Sequence, residues 1–313
     1  MKICILGSGS LGSALGGVLT EGGNDVFLID AWPAHVEVMN ARGLTLRSGG
    51  VDRNVKVKAR TTTDGIGPAD LVVVLVKSFH TREAIAAAGG IVGPETAVMS
   101  VQNGLGHEEI LAEVVGKERV LAGKTYAGGV LLGPGHVIAG TEGKLTFIGE
   151  LDGRITERAT RIATTFTRAG LATEVSTNIM GTMWDKLLIN VATGALSGIT
   201  RLPYGGLYAV PEVEQCGITA VAEAIAVAKA IGIKLTSEDP EDAWKLAGEG
   251  LPKEFKASML QSIEKGAPTE IDFINGSVVR WGERVKVATP VNRALVACVK
   301  GIELWMKEYA TAA

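Results

Sequence analysis

At 313 residues, 46% of them hydrophobic and 21% charged, the chain is long enough for two domains and has an ordinary globular composition. A formal net charge of -3, aromatics at 5% and the lack of a Lys/Arg-rich block argue against nucleic acid as the main partner. Cys4, Cys216 and Cys298 are too scattered for a disulfide framework, and His35, His80, His107 and His136 show no metal-ligand spacing.

The opening Met-Lys-Ile-Cys-Ile-Leu-Gly runs into glycines too early for the apolar region of a signal peptide. No charge-free apolar run is long enough to span a bilayer, so the expectation is a cytoplasmic protein without membrane contact. Lys2 to Leu6 reads as a strand, followed at once by Gly7-Ser8-Gly9-Ser10-Leu11-Gly12. Ser13 to Thr20 reads as a helix stopping near Gly22-Gly23, and Asp25 to Asp30 as a second strand. Strand, glycine loop, helix, strand and acid is the context a dinucleotide site requires, and Asp30 follows Gly12 by 18 residues. In that scheme Gly7 makes the tight turn, Gly9 admits the pyrophosphate to backbone N–H groups, and Gly12 lets the helix approach the strand. A carboxylate at position 30 suits the two ribose hydroxyls and repels a 2′-phosphate; the next arginine is Arg42. NADH is therefore expected over NADPH.

Leu44 to Leu46 and Val55 to Val57 alternate and are read as pairing across Ser48-Gly49-Gly50. Ala69 to Val76 and Thr96 to Val101 are continuous apolar runs, as in parallel strands buried on both faces, with a helix between them from Thr81 to Ala88. They end in Lys77-Ser78 and Gln102-Asn103-Gly104, at the strand ends where open parallel sheets bind ligands. Lys77 and Asn103 are thus expected near the nicotinamide end of the cofactor, although Asn103-Gly104 alone also suits a plain turn. Glycine-punctuated runs from Val120 to Ile148 read as antiparallel hairpins appended to the sheet. A helix from Ile155 to Thr167 and a strand from Ala172 to Val175 close a first domain, 1–176.

The second domain, 177–313, opens on a helix capped at Asn178 whose inner part, Leu187 to Leu196, is nearly free of charge. Lys186 and Asn190 share one face of it, one turn apart. Burying an ammonium is costly unless it is paired, so the pattern marks either a lysine snorkelling at the helix edge or a working group. Further helices are read at Val213 to Ile231, Asp239 to Ala247, Lys253 to Ile263, Ile271 to Glu283 and Asn292 to Tyr309. Ser258 on its helix, and Glu270 with Asp272 after Thr269, also suit an amphipathic helix and an acidic first turn.

The whole chain resembles the ketopantoate reductases, in the wider group of 6-phosphogluconate-dehydrogenase-like proteins. The resemblance rests on the glycine loop, Val76-Lys77, Gln102-Asn103-Gly104-Leu-Gly106 and Trp184-x-Lys186-Leu-x-x-Asn190. Ser258-Met-Leu-Gln261 and Thr269-Glu270-Ile-Asp272-Phe-Ile-Asn275-Gly276 complete it. It implies an α/β Rossmann-type dinucleotide-binding domain followed by an all-α domain that serves as substrate platform and homodimer surface. It further implies hydride transfer from a nicotinamide cofactor to C2 of a 2-oxo acid, 2-dehydropantoate becoming pantoate. Lys186 would be the general acid and Glu270 its partner, with Asn190, Ser258 and Asn103 on substrate, and Lys77 and Asn103 at the cofactor–substrate junction.

The chain departs from the family pattern at three places. Gly194 stands where an Asn is common, Ser262 where an acid is common, and Asp30-Ala31 where an arginine reads NADPH. An NAD-dependent 2-hydroxyacid dehydrogenase acting on a different 2-oxo acid therefore stays open. So does a nicotinamide-binding redox sensor without turnover, which would need the glycine loop but not Lys186, Asn190 and Glu270 together.

Overall fold

The computed structural model describes residues 1–309, and its contacts divide the chain into two units: Met1–Gln102 with His107–Ile179, and Asn103–Gly106 with Met180–Ala313. In the first unit the chain runs β1 (Lys2–Leu6), α1 (Ser10–Glu21), β2 (Asp25–Ile29), α2 (Pro33–Arg42), β3 (Leu44–Ser48), β4 (Val51–Val55), β5 (Lys58–Arg60) and β6 (Leu71–Val74). It continues through α3 (Thr81–Ala87), β7 (Ala97–Ser100), α4 (His107–Val115), β8 (Val120–Thr125), β9 (Gly128–Gly133), β10 (His136–Gly140), β11 (Thr146–Glu150), α5 (Glu157–Arg168) and β12 (Thr173–Val175). Eight strands form one sheet in the order β12-β11-β8-β7-β6-β1-β2-β5, in which every pair but β8–β11 is parallel.

Strand alternation explains the burial of that sheet. Ile3 and Ile5 point into one apolar cluster with Leu15, Leu28 and Phe166; Cys4 and Leu6 point into another with Val72, Ile85 and Leu111. A sheet covered on both faces leaves its central strands with no polar side to show, which is why β6 reads Leu-Val-Val-Val and is wholly buried.

Four further strands form a second sheet, β4-β3-β10-β9. The hairpin β3–β4 pairs Leu44 with Val55 and Ser48 with Val51. Gly49 and Gly50 remain as the turn, both at positive φ, as a two-residue hairpin of this twist demands. The stretch 120–148 divides in a way its composition does not announce. β8 and β11 pair antiparallel within the main sheet, while β9 and β10 leave it to join β3. The departure is fixed from α1, where the Ser10 hydroxyl accepts the Leu131 N–H at 3.2 Å and Gly129 lies against the Ser10 carbonyl.

The second unit is helical: α6 (Ile179–Thr200), α7 (Tyr204–Leu207), α8 (Pro211–Ala230), α9 (Pro240–Gly248), α10 (Ser258–Glu264), α11 (Asn275–Val285) and α12 (Pro290–Glu308). Trp184, Leu187, Val191 and Ala195 bury one side of α6, and Gly217 brings α8 against the Ala192 carbonyl. Two expected helices are shorter. The Lys253 and Phe255 carbonyls accept the Gly205 and Tyr204 N–H groups, so 253–257 is committed to α7 and α10 starts at Ser258. Ile271–Phe273 is a single 3-10 turn, because Ile274 (φ -103, ψ -100) breaks the chain before α11. At the start of α12, the Glu223 carboxylate from α8 accepts the Val291 and Asn292 N–H groups at 2.8 and 3.0 Å. Asn275 donates to Asn292 at 3.0 Å inside the same buried network. Among the described residues no helix is long and apolar enough to cross a membrane.

Candidate active site: a backbone cradle and a polar helix face

The glycine loop crosses from β1 to α1 in a form that glycine alone allows. Gly7 sits at φ +95, and a Cβ there would come within 2.5 Å of the Val76 nitrogen. At Gly12 a Cβ would lie 2.0 Å from the Gly7 carbonyl oxygen, so these two glycines set how close α1 starts to β1. A Cβ at Gly9, by contrast, would meet no atom within 4 Å. The space over Gly9 is therefore room rather than packing, beside a helix start with no side-chain cap. Uncapped N–H groups of a first helical turn and the positive end of the helix dipole together suit a pyrophosphate. The Gly7 and Ser8 N–H groups both donate to the Ile29 carbonyl (2.8 and 2.9 Å), which ties the loop to β2. Ser8 Oγ is buried without a hydrogen-bond partner among the described residues, Ser10 anchors β9, and Leu11 packs partly into the core.

Asp30 is half-buried at the end of β2, where its Oδ1 accepts the Trp32 N–H at 3.0 Å. The arginine nearest along the sheet, Arg60, donates to the Asp64 carbonyl at 2.8 Å and lies over the Phe27 ring. At the carboxyl ends of β6 and β7, Lys77 is exposed immediately before a 3-10 turn, Ser78–His80. Gln102 holds that rim together: its Oε1 accepts from Ser100 Oγ at 2.7 Å and its Nε2 donates to the Val76 carbonyl. Behind the rim, buried Ser78 and His107 join at 2.9 Å. These residues could hold a dinucleotide from its adenosine end to its nicotinamide end.

Asn103 is exposed at the head of a loop that packs with the helical unit, although the expected boundary left it with the sheet. The Leu105 N–H donates to the Phe273 carbonyl at 2.9 Å, and a Cβ on Gly104 (φ +92) would strike that same oxygen at 2.3 Å. The loop thus lies against the turn that begins at Glu270. Glu270 is half-buried, and its segment is pinned by Glu303, whose Oε1 accepts the Thr269 N–H at 2.7 Å and the Thr269 hydroxyl at 2.6 Å. Burial pushes the Glu303 carboxyl up, but the Thr269 bonds and Lys300 outweigh it and hold the group below the usual carboxylate range.

On α6, Lys186 and Asn190 are half-buried on one face, with Gly194 a further turn along. The Asn190 Nδ2 is buried and has no hydrogen-bond partner among the described residues. A Cβ at Gly194 would meet only Met259 Cε, at 3.9 Å, so there is space for a larger group beside Asn190. Ser258, exposed, opens α10 next to that methionine. The helix is fixed on two other sides. Asp185 accepts the Thr236 N–H and hydroxyl (3.0 and 2.6 Å), and Thr193 bonds the Tyr204 hydroxyl at 2.9 Å. Burial raises the Tyr204 hydroxyl's pKa against the lowering effect of Thr193.

Three residues have a bracing role that their sequence positions do not suggest, although Gln102 stands at an expected strand end. His35 and Gln102 brace the cofactor loops, and Glu303 braces the Glu270 segment. Among the described residues no group of three or more His, Cys, Asp or Glu could hold a metal ion.

The family described as Ketopantoate reductase PanE/ApbA matches residues 3–153, and its C-terminal part matches 178–303. The chain is 37% identical to the 2-dehydropantoate 2-reductase of Pyrococcus horikoshii, covering 97% of this chain and 98% of that one. It is 33% identical to the protein of the same name from Halobacterium salinarum, over 96% and 98%. Among solved structures it is similar to a PanE/ApbA family ketopantoate reductase from Ralstonia eutropha JMP134 (TM-score 0.90, 34% identity, 98% and 100% covered). It is also similar to D-mandelate dehydrogenase with NADH and anilino(oxo)acetate (TM-score 0.89, 27% identity, 98% and 100% covered).

Proposed function

Because the chain belongs to the ketopantoate reductase family, and is an oxidoreductase of that type, we propose that it reduces the C2 carbonyl of 2-dehydropantoate with NADH. One observation carries the substrate side of this reading: the Asn190 Nδ2, a buried donor without a partner, one turn from an ammonium. An unpaired buried donor costs about 1–3 kcal/mol, a cost removed when a ligand oxygen accepts from it. A ketone oxygen or carboxylate between Asn190 and Lys186 does so.

The bound reduced nicotinamide supplies the hydride for C2. As negative charge grows on the carbonyl oxygen, the Lys186 ammonium stabilises it and delivers the proton that makes the hydroxyl. Asn190 donates to a substrate oxygen without adding charge, Ser258 and Asn103 hold the remaining polar atoms, and Glu270 passes a proton from solvent water to the neutral Lys186 amine after turnover. Gly7 through Gly12 and the first turn of α1 hold the pyrophosphate, Asp30 takes the ribose hydroxyls, and Lys77 lies toward the nicotinamide. The same reading makes the protein a cytoplasmic homodimer, a state that light scattering measures directly.

Gly194 favours a second reading within the same chemistry. The open space beside Asn190 and the missing amide suit a 2-oxo acid bulkier and less polar than 2-dehydropantoate. Both readings are tested by following loss of reduced-nicotinamide absorbance for 2-dehydropantoate and for branched and aromatic 2-oxo acids, each with NADH and NADPH. The largest kcat/KM for 2-dehydropantoate with NADH is expected. A larger value for an aromatic acid selects the second reading, a preference for NADPH overturns the role of Asp30, and absence of any turnover overturns both.

A further inference from the structure

His35 is fully buried in the cofactor-binding unit, and both its ring nitrogens are engaged. The Gly135 N–H donates to Nδ1 at 2.9 Å, so Nδ1 carries no proton and Nε2 does. Nε2–H then donates to the Ser8 carbonyl at 2.9 Å, with Ser13 Oγ at 3.2 Å. Ser13 Oγ donates to that same carbonyl at 2.5 Å. One imidazole thereby joins the phosphate loop to the turn between β9 and β10. The Trp32 ring stacks on it with centroids 5.6 Å apart and planes 11° from parallel.

Trp32 follows Asp30 by two residues, its N–H is fixed by the Asp30 carboxylate, and the residue is 42% exposed. The indole packs on His35 yet stays exposed, and its neighbour is the acid assigned to the adenosine ribose. We propose that Trp32 is the stacking platform for the adenine of the dinucleotide, and that His35 is the positioning residue that holds platform and phosphate loop at one height. The inference rests on dinucleotide binding by the glycine loop and is independent of the choice between NADH and NADPH, since both carry adenine. A flat π-face next to a ribose anchor suits a purine, and base–aromatic stacking of this kind shifts affinity about tenfold or more.

The test uses the full-length protein with ADP-ribose, which keeps the adenosine and pyrophosphate without the nicotinamide, and reduced nicotinamide mononucleotide, which lacks the adenosine. Trp32→Leu is expected to raise the Kd for ADP-ribose about tenfold, to raise the KM for NADH and NADPH alike, and to leave kcat and the KM for the mononucleotide unchanged. His35→Leu is expected to weaken ADP-ribose at least as much, and His35→Gln to recover most of the loss. The glutamine amide can accept from Gly135 and donate to Ser8 as the imidazole does. Undiminished ADP-ribose binding by Trp32→Leu, an equal loss toward the mononucleotide, or no recovery in His35→Gln overturns the proposal. A measured preference for NADPH bears on Asp30 and not on this pair.

Discussion

The cradle at 7–12 and the polar face of α6 are both ligand sites in this reading, yet they are built from opposite materials. The cradle is backbone. It works because Gly7 has no Cβ to collide with Val76, Gly12 none to collide with the Gly7 carbonyl, and because α1 begins without a side-chain cap. The α6 face is side chain: an ammonium and an amide on a helix whose other faces are packed. A backbone site fails when an atom is added, and a side-chain site fails when one is taken away. Substitutions in the two should therefore damage different quantities.

The largest expected effect is at Lys186. Removing a general acid typically costs 10²–10⁴-fold, so Lys186→Ala should lower kcat by about that factor while the Kd for NADH stays within about twofold. Stopped-flow single turnovers and NADH titration of the same preparation measure both. A loss of NADH affinity as large as the loss of kcat would erase the distinction between the sites.

Next comes a thiol in the cradle's own strand. Burial pushes the Cys4 thiol up to about 12, with Lys2 acting the other way, and the side chain is fully buried. Cys298 on α12 is exposed, and Cys216 is half-buried with burial again raising its thiol. A thiol reagent should label Cys298 first and Cys216 later, reaching Cys4 only through opening of the unit. At about 100 times its Kd, NADH should slow labelling of Cys4 by roughly 100-fold and leave Cys298 alone. Equal protection of both thiols would mean that the cofactor is not held by the cradle unit alone.

Third is Gly12→Ala. Its methyl would lie 2.0 Å from the Gly7 oxygen, so the backbone must shift, at a cost of about 1–3 kcal/mol. A lowered Tm and a raised KM for NADH with kcat retained are expected, as read by thermal melts and steady-state rates. An unchanged KM would show that the tight turn is not what positions the pyrophosphate.

The same opposition explains what could be read in the chain beforehand. Glycines forced by geometry keep a fixed spacing within six residues, so strand, loop, helix and Asp30 were legible together. The wholly apolar β6 and β7 were legible for the analogous reason that a sheet covered on both faces allows nothing else there. Lys186 and Asn190 stood out only because a charge and an amide are unexpected in an apolar helix. Glu270 and Ser258, far along the chain, could be joined to them only through resemblance to known reductases. α2 and α4 went unread: α2 starts at a proline and carries only three buried residues, His35, Val36 and Met39. His35 was invisible as a strut because its partners, Ser8 and Gly135, are backbone groups 27 and 100 residues away. The helices expected from Lys253 and Ile271 were too long because carbonyls that would have extended them bond to Gly205, Tyr204 and Leu105 instead.

The smallest expected effect lies behind the side-chain site. Glu303 contributes nothing to the chemistry proposed here; it holds Thr269, and through it the segment bearing Glu270. Its folded carboxyl titrates below the ordinary value of 4.5, so its stabilisation is complete above that pH and is lost as pH falls through the folded value. Glu303→Gln should lower stability at neutral pH by on the order of 1 kcal/mol after solvent screening, roughly 2–4 °C in Tm. The deficit should start to shrink below about pH 4.5 and vanish as pH falls through the lower folded value, where the folded parent protein loses the same charge. Because glutamine can still accept from Thr269 at one oxygen, Glu270 should stay close to its place and kcat should fall only a few-fold. A fall in kcat approaching that of Lys186→Ala would make Glu303 part of the proton path instead of its brace. The α6 face would then be one end of a longer relay, and its contrast with the cradle would concern extent as well as material.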